Sequence, residues 1–449
     1  MAAMQTNFRG RLSFVLKNYG TILVLLALVV LFSRATIATQ YPEGSEAVRQ
    51  VADLIVEAAG TEARVFVAFP ASDADKLMAQ SLASTLQDRG VEVVGVIAGR
   101  PSDVRSAVQT LLDQGQKIDA VGCSGISAGW PFWERMPEIG VQRCYSPRPY
   151  DWPNFLKFSN ILVILDQAAI SAIVAIGMTM VVITGGIDLS VGSLVALSAV
   201  VSTLLIQNYG QGTSASVGFV IMAMTAAVLL TTAMGLMNGV LVTIGKLPPF
   251  IATLAMMMIA SGIAFRISDG GSFDQVPAVF KSPGGTIGIK VPGTEFSFGL
   301  PMPIVVMVCL YVMAHCVMKY SVVGRILYAI GGNREGARLA GIRVRWSLIL
   351  TYAIAGTLSG VSGILLASKL GAGNPTFGLM YEMEVIAAVV VGGTSLMGGE
   401  GRVLGTLTGA IMIAVIGNGM NLIGLGSFDQ KIALGVILLV ACLLDRSRA

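Results

Sequence analysis

From Ile161 onward the sequence alternates apolar runs with short polar breaks, and that alternation leaves few folds open. The runs lie near Ile161–Thr184, Ser190–Ile206, Val217–Met237, Ile251–Phe265, Pro303–Met318, Ser347–Ser368, Val385–Val391, Val403–Asn418 and Ile432–Leu444. Another, Tyr19–Phe32, precedes them. A helix needs roughly 20 apolar residues to cross a core of ~30 Å, so the short runs qualify only by extending into their glycine-rich flanks. Lipid offers backbone amides no partners, so the runs must be helical. The expectation is a polytopic α-helical membrane protein with about ten transmembrane helices. Composition agrees: 12% of the 449 residues are charged and 54% are hydrophobic, against about 25% charged in soluble domains. The 53 Gly and 22 Met suit helices whose backbones approach closely.

The basic residues set an orientation. Lys319, Arg325, Arg334, Arg338, Arg343 and Arg345 crowd the break between two runs, residues 320–346, and mark it as a cytoplasmic loop. An even number of spans puts both termini inside, together with Lys246, Arg402 and the basic tail Asp445–Arg448. The small net charge of +4 therefore speaks of orientation in a lipid membrane and not of nucleic acid. Within the loop, Asn333–Leu339 reads as a short polar helix, capped by Asn333 and stopped by Gly341, placed to dock a soluble partner. Arg9, Arg11 and Lys17 ahead of the first run fit either a secretory signal or an uncleaved first span. The span is favoured because everything after Asn160 is membrane-embedded.

Tyr41 to Asp151 changes character: acidic residues outnumber basic ones and apolar runs shorten. Strands are expected at Arg64–Phe69, Val91–Ala98, Lys117–Cys123 and Val141–Cys144, with helices at Asp73–Arg89 and Ser102–Gln114 and a helical turn at Pro131–Met136. This alternation predicts a small inserted α/β domain with a parallel sheet, on the outer side. Cys123 and Cys144 end neighbouring strands and either form a disulfide or stay as free thiols.

Two glycine-rich breaks interrupt the apolar runs. Thr184–Ser193 carries Gly185, Gly186, Asp188 and Ser190. Such a break belongs where backbone is buried in protein or lines a cavity. Asp188 is either a functional ionisable group or, like Ser190, a helix cap. Val391–Gly401 carries Gly392, Gly393, Gly398 and Gly399 and reads either as a flexible turn or as a close-packed hinge. Val181–Leu189 (VVITGGIDL) and Val389–Leu396 (VVVGGTSL) form a weak internal repeat. No Walker A pattern exists, and the single His, His315, lies mid-span as a packed residue, so neither P-loop hydrolysis nor a Ser/His/Asp set is available. No catalytic residue, resident cofactor or metal site is expected, since Cys309, Cys316 and Cys442 sit in apolar runs and no Cys/His cluster occurs.

Met178–Ser193 (MTMVVITGGIDLSVGS), Leu247–Leu254 (LPPFIATL), Gly324–Ile342 and Ala387–Ala410 resemble, in order, the signature blocks of permease subunits of ribose-type ABC importers. The likeness runs from about residue 154 to the C-terminus, with the first span in addition. It implies separate ABC ATPase subunits that bind ATP and Mg, an external solute-binding protein, and a second permease copy or paralogue. It implies that Gly332–Ile342 is the coupling helix, on which Asn333, Arg334, Glu335, Arg338 and Gly341 fall. The pathway for a neutral sugar would run past Gly185, Gly186, Asp188, Ser190 and Asn238. The chain then divides into a first segment, 1–38, an extracytoplasmic insert, 39–152, and a permease domain, 153–449. The insert departs from the family pattern and resembles one lobe of a sugar-binding periplasmic protein. A membrane receptor using that insert as a sensor is the alternative; it would want a cytoplasmic signalling domain, and five residues follow Leu444.

Overall fold

The computed structural model describes residues 20–136, 139–290 and 297–446. Arg9, Arg11, Lys17 and the last three residues of the chain lie outside them. The chain forms two compact units, one of residues Ile37–Asn154 and one of the rest.

The membrane unit opens with α1 (Gly20–Ala35), a 16-residue apolar helix. Thr36 follows it, and its hydroxyl donates to Phe32 O at 2.7 Å and accepts the Phe155 N–H at 3.1 Å. The stacked rings of Phe32 and Phe155, 5.7 Å apart, close the same corner.

The α/β unit begins and ends with one antiparallel ribbon: β1 (Ile37–Gln40) against the last strand of the unit, Tyr150–Pro153, in register Ile37↔Pro153. Between them run α2 (Gly44–Ala59), β2 (Arg64–Phe69), α3 (Asp73–Asp88), β3 (Glu92–Ala98), α4 (Pro101–Asp113), β4 (Ala120–Cys123), the short α5 (Gly125–Ala128) and β5 (Cys144–Tyr145), with Tyr150–Pro153 as β6. Strands β3-β2-β4-β5 make a four-stranded parallel sheet. Each face of it is covered. Val51, Ile55 and Leu82 of α2 and α3 bury one side, and Val104, Val108 and Trp133 the other. A parallel sheet needs both covers because its strands have no solvent face. The structure departs from the sequence expectation: the ribbon β1–β6 was not foreseen, and the strand expected over Lys117–Cys123 begins only at Ala120. Helix α2 was not foreseen, and Val141–Arg143 is a 3₁₀ turn that leaves only Cys144–Tyr145 to pair. Cys123 and Cys144 are free thiols here, and burial pushes the Cys123 thiol up, which makes it a poor nucleophile.

The membrane unit continues with α6 (Phe158–Ile183), α7 (Val191–Tyr209), α8 (Val217–Thr243), α9 (Pro249–Ser268), α10 (Ala278–Lys281), hairpin β7 (Thr286–Lys290) and β8 (Ser297–Pro301), α11 (Met302–Tyr320), α12 (Val322–Gly332), α13 (Arg334–Leu339), α14 (Val344–Leu370), α15 (Tyr381–Val391), α16 (Val403–Leu422) and α17 (Ser427–Arg446). Among the described residues seven helices (α6, α7, α8, α9, α11, α14 and α16) are long and apolar enough to cross a membrane. Helices α6 and α14 form the centre, with 67% and 78% of their most apolar windows buried, while α8 and α9 are largely exposed. Exposed apolar helix faces are what a lipid solvent permits. Small residues let the centre close: a methyl on Gly235 or Gly356 would strike the backbone of the facing helix across the α8–α14 contact. Polar pairs lock the bundle from within. Thr179 meets Thr406 at 2.7 Å, Tyr311 donates to Ala172 O at 2.9 Å, and Asn160 and Asn418 exchange two amide hydrogen bonds. Lys369 and Asp166 form an ion pair at 2.5 Å between the end of α14 and the start of α6.

Candidate functional site

The two glycine-rich breaks end their helices by the same device. After α6, Gly185 N–H donates to Val182 O and Gly186 N–H to Val181 O, at 2.8 and 3.1 Å. After α15, Gly393 N–H donates to Val390 O and Thr394 N–H to Val389 O, at 2.9 and 3.1 Å. Gly185 and Gly393 take φ of 77° and 89°, the left-handed backbone that closes such a cap. The weak sequence repeat is thus a repeat of local structure.

Both breaks meet the loop that the basic residues mark. Gly399 N–H donates to Ile183 O at 2.8 Å, and Tyr328 of α12 donates to Gly401 O at 2.8 Å. Gly331 lies between them: a methyl there would collide with the Ile183 carbonyl and with Gly399 N. Gly398 packs on Gly185 and Gly331, and Gly399 on Gly332. Gly392 packs on Gly405 of α16, and Gly393 faces open space. The close-packed reading therefore describes Gly392, Gly398 and Gly399 and not Gly393.

Behind the first break lies a buried polar cluster. Asp188, Ser190 and Asn238 are each fully buried. Ser190 donates its N–H at 2.9 Å and its hydroxyl at 2.6 Å to Asp188 Oδ1, and Asn238 Nδ2 donates to Ser190 Oγ at 3.0 Å. Asp188, not Ser190, thus holds the start of α7; the Ser190 side chain makes no cap bond. Thr253 of α9 donates to Ile187 O at 3.2 Å. Asp188 Oδ2, Asn238 Oδ1 and the Tyr352 hydroxyl have no hydrogen-bond partner among the described residues. Each unpaired buried polar group costs about 1–3 kcal/mol, so the cluster is held at a cost to stability. The Tyr352 hydroxyl packs on Gly186.

On that loop, α13 stands out from the bundle. Asn333 accepts the Gly336 N–H at 2.8 Å, and Gly341 (φ 83°) stops the helix. Ala337 buries its underside against Ile330, Val344 and Leu348. Arg334, Glu335 and Arg338 are exposed, and Leu339 is 77% exposed. Arg338 pairs with Glu335 at 2.5 Å and, by that hydrogen bond, holds its carboxyl below the usual range. A rigid platform thus presents one ion pair and one bare leucine to solvent. Sequence reasoning reached Asn333, Arg334, Glu335, Arg338 and Gly341 but missed Leu339, Tyr352, Gly331 and Tyr328. The Gly331–Gly332 pair was the available signal, since small pairs mark close backbone approach.

A family model described as "Branched-chain amino acid transport system / permease component" matches residues 160–443. The chain belongs to this permease family. It is 39% identical over 298 residues to the ribose import permease protein RbsC of Bacillus subtilis, covering 66% of this chain and 88% of that one. The Escherichia coli K12 ribose import permease protein RbsC is likewise 39% identical over 300 residues, at 66% and 88% coverage. The D-allose transport system permease protein AlsC of E. coli K12 is 32% identical over 301 residues, at 65% and 85%. No solved structure matches. This permease is thus a multi-pass inner-membrane protein and a transport subunit, not an enzyme. The family match starts after the α/β unit.

Proposed function

We propose that this permease is the membrane half of an ATP-driven importer carrying a monosaccharide such as ribose inward by alternating access. The observation that carries this reading is the 39% identity to ribose import permeases across 88% of their length. Ten crossings follow if α1, α15 and α17 join the seven long helices. This threading puts the loop 320–346 in the cytoplasm and the α/β unit of 37–154 outside. Helix α13 then seats on a separate ABC ATPase, which binds ATP and Mg, with Glu335–Arg338 and Leu339 as the contact. A solute-binding protein delivers sugar outside, and a second copy or paralogue completes the channel. The Ile183–Gly399–Gly331 junction passes the motion of α13 to α6 and α15. Gly186, Asp188, Ser190 and Asn238, buried here, border the pathway together with the exposed Gly185 when the bundle reopens. In this scheme ATP closure biases a two-state bundle, as in other switching transitions. The receptor alternative draws no support from the comparisons.

The test is ATP-driven uptake of D-ribose by the permease reconstituted with its ATPase and binding protein. Glu335→Ala with Arg338→Ala should leave ATP turnover and lose uptake, with the thermal midpoint unchanged because the pair is exposed. Full uptake in the double variant would remove α13 from the scheme.

A further inference from the structure

A second region of the membrane unit has no part in the scheme above. Helices α6, α15, α16 and α17 enclose a cavity of about 410 Å³. It lies where α6, α15 and α17 begin and α16 ends, away from the Gly399 junction. Gln167, Glu384, Asn421, Gln430 and Lys431 line it, and aliphatic side chains of α16 and α17 complete the wall.

Gln167 is the informative residue. It lies within α6, the most apolar of the spans, with a mean hydropathy of 2.2. Yet it is exposed, and its amide has no hydrogen-bond partner among the described residues. An amide facing hydrocarbon would be costly, so this surface belongs to a wet cavity. Gln430 Nε2 donates to Asn421 Oδ1 at 2.6 Å, which fixes both amides at the rim.

The chemistry of the wall selects a ligand class. Three amides supply both donors and acceptors at one site. One acidic and one basic side chain, Glu384 and Lys431, share the wall, so it singles out neither anions nor cations. The aliphatic patch suits the C–H face of a ring. The volume falls in the range of roughly 300–1,000 Å³ for small-molecule sites. A phosphate would want more cations than Lys431 alone, and an acyl chain would leave the amides dry and unpaired. We propose that this cavity is a low-affinity holding site for a neutral monosaccharide, on the side where α6 begins. The inference rests on the sugar-import reading, and it adds a sugar site built by one permease chain.

The test reads the site without the ATPase. Gln167→Cys is introduced into the full chain, and right-side-out vesicles are treated with a membrane-impermeant thiol reagent, with the unmodified chain giving the background of the native cysteines. The introduced thiol should react, and D-ribose should slow the reaction by about twofold at a concentration equal to its Kd, where half the sites are filled. Gln430→Leu added to that variant should keep the labelling and lose the protection. An unreactive thiol, the result expected of a lipid-filled cavity, would overturn the proposal, and so would labelling that saturating D-ribose leaves unchanged. Should Gln167→Cys fail to accumulate, Asn421→Cys serves in its place with the same outcomes. Failure of the import reading shows separately, as no ATP-driven ribose uptake by the unmodified assembled transporter.

Discussion

The chain turns after α6 and after α15 with one backbone geometry, but the first turn gathers a cluster of buried polar side chains, whereas the second buries the Thr394 hydroxyl without a partner among the described residues. In the aligned repeat, VVITGG matches VVVGGT, and the position of Asp188 in the first is Leu396 in the second. The first turn leads into a buried hydrogen-bonded cluster with three unpaired polar atoms. The second leads into glycines that lie on the loop bearing α13. A duplicated cap has thus been put to two uses: one turn stores polarity inside the bundle, and the other supplies a close backbone contact that a docked partner can move.

Substitutions can break this comparison. The largest effect is expected at the shared contact. Gly331→Ala places a methyl on the Ile183 carbonyl, where backbone must shift, and should cost about 3 kcal/mol or more. Its neighbour Gly332→Ala meets nothing within 4 Å and should leave the thermal midpoint in detergent almost unmoved. Equal losses in the two variants would mean that the junction is not packed as described. Next comes Asp188→Leu, which gives the first turn the residue of the second. It removes the acceptor of both Ser190 bonds and should cost about 1–3 kcal/mol, with uptake lost. Unimpaired uptake would show that the polar cluster has no part in transport. The smallest effect sharpens the likeness. Gly185→Ala and Gly393→Ala each put a Cβ at positive φ and should each cost about 1–2 kcal/mol. Midpoints that differ widely between these two would show that the caps are alike only in outline.

Much of the fold was legible because lipid and sheet each impose a period. The apolar runs gave every long helix of the membrane unit, and the alternation of short apolar runs with amphipathic ones gave β2, β3 and β4 with α3 and α4. Helix α2 was missed although Ala47, Val48, Val51, Ala52 and Ile55 recur at helical spacing, because β1, the strand before it, was not foreseen either. The site was legible only in pieces. Glycine runs marked both breaks, and Asn333 and Gly341 bounded α13. Nothing local shows that Gly331 closes on Ile183, or that Tyr352, far along the chain, faces Gly186. Those are contacts of tertiary packing, and a tyrosine in an apolar span carries no mark of its neighbours. The α/β unit was visible as a compositional break, with the order of β2, α3, β3, α4 and β4 as expected, but the strand expected over Lys117–Cys123 was too long and the one expected over Val141–Cys144 is mostly a 3₁₀ turn.

The strand pair β1–β6 and the bond from Phe155 to Thr36 have a consequence for engineering. The polypeptide leaves the lipid-embedded body at Thr36 and rejoins it at Phe155, with both points already clasped together. Partners across antiparallel strands lie only about 5 Å apart. Segment 37–154 thus leaves and returns at one point of the chain, and its replacement by a tight turn should leave the thermal midpoint of the remaining helices in detergent unchanged.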